Sequence, residues 1–249
     1  MEKQEHVLVE SEKRKYRVKR YGIVIGLISA VVQHLIYMSG HTFAQIVGNT
    51  PILPKIPDID DAIPLLSIFV IPYVWAYLYW AMAPMAASKC KNDHFKDFMA
   101  AYLIASLMSC AVLTFMPTYM DRVAENLWNI PRNNFCDELL YFWYCMDGHD
   151  LAYNLFPSVH CLNSTLAYLA VAGRKEVKLW FRVYSLLMTI SIYIATVCVK
   201  QHYFIDIFGG MVIAIIAFAI CKHWHVGRMW DPFITLWNKI FKTNKKAEE

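Results

Sequence analysis

Charge is what this sequence has least of. Only 18% of its residues are Asp, Glu, Lys or Arg, against about 25% in an ordinary soluble domain. Apolar side chains fill the deficit at 57% of the chain, and mean hydropathy is +0.33. That balance excludes a disordered chain, which combines low hydrophobicity with high charge. It argues against a single soluble globule and, despite a net charge of +4, against a nucleic-acid-binding protein. Cysteine is sparse too: seven in 249 residues do not make a disulfide scaffold. No internal repeat and no low-complexity tract is seen, and no cleavable signal peptide is expected, because a long charged segment precedes the first apolar run. What remains is a polytopic membrane protein.

A membrane-crossing helix needs about 20 mostly apolar residues. Six segments qualify or come close: 21–37, 62–83, 98–116, 158–172, 179–199 and 204–221. The fourth is short and carries Asn163, Ser164 and Thr165, so it is expected to face other helices rather than lipid. The fold expected is all-α, a bundle of six transmembrane helices. Its parts are a basic N-terminal segment (1–20), a membrane domain (21–222) and a tail (223–249).

Basic residues set the orientation. All but four of the 24 Lys and Arg fall on one side of the six segments; the exceptions are Lys55, Arg122, Arg132 and Lys200. The positive side is expected to be cytoplasmic, with both termini inside. The outer side then carries three loops: 41–61, the long 117–157, and a short one at 200–203. The long loop is acidic (Asp121, Glu125, Asp137, Glu138, Asp147, Asp150) and aromatic. Its Trp128, Phe135, Tyr141, Phe142, Trp143 and Tyr144 read either as an interfacial belt or as loop packing. Cys136 and Cys145 share it, where an oxidising compartment would permit a disulfide. In the tail, Trp230, Phe233, Ile234, Trp237, Ile240 and Phe241 recur at helical spacing, fitting either an amphipathic helix on the inner leaflet or packing against the bundle.

Chemistry concentrates at the outer ends of the spans. His202 and Asp206 lie four apart at a helix start and share a face. There a carboxylate can fix the imidazole tautomer and free the other nitrogen as nucleophile or base; a plain capping pair is the alternative. Ser158, after Pro157, stands where a helix N-cap is expected, and free amides at a helix start suit a phosphate. His160 on the first turn could protonate a leaving oxygen. Arg122 and Lys200 would supply charge to an anion or meet lipid headgroups. Metal ligation by His160, His202 and Asp206 is disfavoured by the cations placed with them.

These stretches resemble the signature of the type 2 phosphatidic acid phosphatase superfamily of membrane lipid phosphatases and phosphotransferases. Phe156-Pro-Ser158-Val-His160 is similar to its Pro-Ser-Gly-His box, His202 with Asp206 to the His-x-x-x-Asp of its third box, and Arg122 to the Arg of its first. Departures are present. Phe115 stands where the first box has Lys, Val123 where Pro follows the Arg, Val159 at the Gly, and Ala195 and Thr196 at the Ser-Arg that opens the third box. Lys200 is a candidate replacement for a lost cation. The pattern also resembles the branch that includes inositol phosphorylceramide synthases.

The resemblance implies a scheme that requires no metal and no cofactor. Arg122, Ser158 and Lys200 hold the phosphate of a phospholipid or polyprenyl phosphate at the outer leaflet. His202, oriented by Asp206, attacks phosphorus, and His160 protonates the departing alkoxide. Water as acceptor makes a phosphatase; an alcohol makes a phosphotransferase; a non-catalytic lipid-binding relative is the further alternative. Small size and absent targeting signals suggest a bacterial plasma membrane. The oligomeric state is not readable from the chain.

Overall fold

The computed structural model describes residues 18–147 and 150–241. The N-terminal basic cluster up to Arg17, His149, the side chain of Asp147, and Lys242, Lys245 and Lys246 lie outside the described residues. The described residues are mostly helical. In order come α1 (Arg20–Val47), α2 (Pro57–Asp60), α3 (Val70–Ala87), α4 (Asn92–Phe115), α5 (Phe135–Asp147), α6 (Val159–Val171), α7 (Leu179–Cys198), α8 (Phe204–Trp224) and α9 (Asp231–Ile240). Two short strands, β1 (Tyr119–Asp121) and β2 (Leu151–Tyr153), pair antiparallel with Met120 opposite Ala152.

Five helices (α1, α3 with its preceding 3-10 turn, α4, α7 and α8) are long and apolar enough to cross a membrane. The fourth expected span is α6, a shorter apolar helix of 13 residues, about 20 Å long. It sits inside the bundle, packed on α3, α4, α7 and α8. Its polar residues are buried and paired: Asn163 with Gln33 of α1 at 2.6 Å, Ser164 with the Trp80 indole at 3.0 Å, Thr165 with the Cys161 carbonyl at 2.6 Å. A helix walled by protein can carry such groups, because partners replace the water that lipid does not offer.

The ends differ from the expected spans in several places. α1 runs on to Val47, through the start of the expected 41–61 loop, and stops at Gly48, whose φ of +82° suits glycine. The second span begins as a 3-10 turn at Ser67 rather than at Ala62, after Leu66, whose backbone is extended.

Among the described residues, the long loop 117–157 is a folded cap. Its helix α5 was not expected from the sequence pattern. Leu140 and Tyr144 of α5 join Met120, Leu127, Leu155, Tyr73, Val199 and Tyr203 in a buried cluster above the main core. Loop packing therefore accounts for Tyr144 and Trp143, while Phe135 and Phe142 stay exposed. Cys136 and Cys145 are free and lie nine residues apart on α5, about 13 Å by the helical rise. A disulfide needs Cα atoms within about 7 Å, so this helix forbids one.

The tail stripe divides. Trp230 is buried, and Phe233, Ile234 and Trp237 pack against the main core, whereas Ile240 and Phe241 are exposed. The Gly227 amide donates to Asp97 at 2.9 Å and Lys96 pairs with Asp231 at 2.7 Å, tying the tail to the start of α4.

Candidate active site

Two helix starts build the site. Ser158 is the N-cap of α6, and its hydroxyl accepts the Cys161 amide at 3.4 Å. That cap puts His160 on the first helical turn. Tyr203 precedes α8, and its amide donates to Asp206 Oδ2 at 3.0 Å. The same oxygen faces His202 Nδ1 at 3.2 Å. Asp206 is fully buried, and its Oδ1 has no partner among the described residues. With Nδ1 turned to a carboxylate, Nε2 is the nitrogen left to react.

The two starts are pressed together. The Ser158 amide donates to the Asp206 carbonyl at 3.1 Å. Gly210 permits this approach, since a methyl at that position would run into the Ser158 carbonyl oxygen and come within 2.9 Å of the Leu162 amide nitrogen. The His160 and His202 ring centroids consequently lie 6.1 Å apart, at 60° to one another. His160 Nε2 is buried and has no partner among the described residues.

Arg122 follows β1, and its amide donates to the Asp150 carbonyl at 2.8 Å. The side chain is 1% exposed. Its Nη2 donates to Gln201 Oε1 at 3.2 Å and its Nη1 to the Tyr144 carbonyl at 3.5 Å, with the guanidinium 5.5 Å from the Tyr144 ring centre. Tyr144 in turn donates to the Val199 carbonyl at 2.6 Å. Arg122 is thus tied to the residue that precedes His202.

Lys200 is placed differently from what the sequence suggested. Its backbone is left-handed (φ +50°), and its ammonium donates to the carbonyls of Asp60 at 2.8 Å and Ile63 at 2.6 Å. It holds the segment around Asp60 and Ile63, and it lines one small cavity together with His202, Glu125 and Tyr203. Asp60 completes this strut: its carboxylate accepts the Ile56 amide at 2.7 Å and the Phe204 amide at 2.8 Å. Lys55 and Arg132 are engaged as well. Lys55 pairs with Asp61 at 2.6 Å and Glu125 at 2.7 Å, while Arg132 pairs with Glu138 on the surface. Glu125 also accepts the Tyr203 hydroxyl at 3.2 Å; burial and this neighbouring carboxylate push the Tyr203 phenol up.

At the positions where cations were missing, the structure offers none. Phe115 is 69% exposed, and Ala195 and Thr196 are fully buried. The residues not foreseen are Asp60, Gln201, Tyr144 and the rings around His160: Tyr73, Tyr77 and Trp80. Gln201 had a signal, its place beside His202; the others had none, since no motif contains them.

Fold and site together describe a helical integral membrane protein with two histidines and a buried carboxylate at adjoining helix starts. The PAP2 superfamily model matches residues 59–220, and the chain belongs to that superfamily. The match takes in Arg122, Ser158, His160, Lys200, His202 and Asp206. No curated protein and no solved structure matches the chain. Superfamily and apolar helices give it membrane phosphatase-type chemistry.

Proposed function

We propose that the chain is a lipid phosphatase acting at the outer leaflet through a phosphohistidine. The observation that carries this reading is the pair of imidazoles 6.1 Å apart, one held by a buried carboxylate and the other with a buried, unpartnered Nε2. A buried polar atom without a partner costs about 1–3 kcal/mol, which a substrate oxygen would relieve. In the first step His202 Nε2 attacks phosphorus, a P–N bond forms and the P–O ester bond breaks. His160 gives its proton to the departing alkoxide, while Arg122 and the α6 helix start hold the phosphoryl oxygens. In the second step water attacks phosphorus, His160 takes its proton, the P–N bond breaks and phosphate leaves. The site lies on the outer side if the Lys and Arg imbalance sets the orientation.

A second reading is favoured by one observation. Arg122 is the single cation buried among the motif residues, since Lys200 is held by carbonyls and positions 115, 195 and 196 are uncharged. A phosphomonoester carries about −1.5 to −2 charge at neutral pH, a diester only one negative charge. So sparse a set of cations suits a diester donor, with an alcohol as the acceptor in the second step.

One experiment separates these. Purified protein is given phosphatidic acid and polyprenyl diphosphate in detergent, then a phospholipid diester with an alcohol acceptor, with His202→Ala as control. Phosphate release lost in the variant supports the phosphatase; headgroup transfer lost in the variant supports the transferase. Unchanged turnover in His202→Ala sinks both.

A further inference from the structure

The second span, α3, carries none of the motif residues, yet it encloses His160. Tyr73 lies parallel to the imidazole, with centroids 4.1 Å apart and planes 16° apart. Tyr77 and Trp80 turn edges toward the same ring at 5.0–5.7 Å. Positions 73, 77 and 80 are four and three apart, so one helical face supplies all three. Trp143 of the loop helix closes the group, 5.9 Å from Tyr73 and 5.7 Å from Tyr77. Tyr73 itself is 4% exposed.

The two histidines are therefore oriented by different means. His202 has a carboxylate on Nδ1. Among the described residues no hydrogen bond to His160 is present, and its buried Nε2 lacks a partner. The plane of its ring is set by packing, and Tyr73 is the face on which it rests. We propose that Tyr73 is the positioning residue of the acid–base histidine, holding the imidazole so that Nε2 meets the leaving oxygen on the His202 side. The inference rests on the reading of His160 as the proton donor.

Chemistry favours a ring in this place over a second carboxylate. Another Asp beside His160 would set a full negative charge near the phosphate. An aromatic face orients the ring without net charge, and its quadrupole still stabilises the imidazolium that His160 must be before it gives up its proton. Misplacing an acid by about 1 Å can cost about 10²-fold, so loss of the stack has a measurable consequence.

The test uses the leaving group. An alkoxide needs a proton to depart, whereas p-nitrophenolate does not. Single-turnover alcohol release is measured from phosphatidic acid and from p-nitrophenyl phosphate with full-length protein. Tyr73→Phe keeps the ring and should stay within about 2-fold of wild type on both. Tyr73→Leu should fall about 10- to 100-fold on phosphatidic acid and within about 3-fold on p-nitrophenyl phosphate; that retained activity also shows the variant is folded. Equal loss on both substrates makes Tyr73 a packing residue and overturns the proposal. His160→Asn is the reference. If it lacks the leaving-group selectivity, the proton-donor reading fails; if it has the selectivity and Tyr73→Leu does not, the Tyr73 inference alone fails.

Discussion

Gly210 of α8 lies against the Ser158 carbonyl of α6, closer than any side chain would allow. With the Ser158 amide bonded to the Asp206 carbonyl at 3.1 Å, it sets the separation of the two helix starts that carry His160 and His202. The obstacle to a larger residue is backbone, which cannot swing aside. Gly210→Ala should therefore push the starts apart, lowering turnover at least about 10-fold and stability by about 1–3 kcal/mol. Turnover and melting temperature in one detergent check this, and wild-type values of both would show that the spacing is not set here.

Lys200 gives a prediction in which two roles diverge. As a strut to Asp60 and Ile63, its loss in Lys200→Met should lower kcat about 5- to 10-fold and leave KM within about 2-fold, because positioning is lost and binding is not. A phosphate ligand would behave oppositely. A KM rise of about 10-fold at constant kcat returns Lys200 to the phosphate.

Arg122 and Gln201 should act as a pair. Arg122→Lys keeps charge but loses the planar fork, and a reduction of about 10²-fold in kcat/KM is expected, the scale for removing one donor to a developing charge. Gln201→Leu removes only the 3.2 Å anchor and should cost less, about 10-fold. If Gln201→Leu equals wild type while Arg122→Lys is impaired, the guanidinium is positioned by other partners.

Asp137 should make the cap acid-sensitive. Its carboxylate accepts from the Ser67 side chain, the Asn133 amide at 3.0 Å and the Asn134 side chain at 2.8 Å, and these bonds hold its pKa below the ordinary 3.8. A depressed folded-state value means that the stabilisation is complete above the unfolded pKa. It is lost as pH falls through the folded one. Proteolysis of the 117–157 loop should accelerate below about pH 4 in wild type, and Asp137→Asn should remove that dependence. An unchanged acid profile in the variant would place the sensitivity elsewhere.

The spans were legible because hydropathy over about 20 residues is a property of the segment itself. The exceptions are instructive. Residues 41–47 contain His41, Thr42 and Gln45, which interrupt the apolar run, yet α1 continues through them. Neither that polarity nor Gly40 ends the helix, which stops only where Gly48 takes a left-handed backbone. The helix α5 was hidden because its aromatics bury against Met120, Leu155 and Tyr203, contacts that a loop reading does not contain.

By itself the sequence determined what depends on neighbours in the chain: a membrane-type composition, the cap at Ser158, and the nearness of His202 to Asp206 four residues on. Tertiary structure alone decided where side chains from distant segments point. Lys200 reaches back to Asp60, Tyr73 lies under His160, and Arg122 meets Gln201. These pairs are separated by some 80 to 140 positions. No periodicity spans such a gap, because contact between them exists only once the helices have packed.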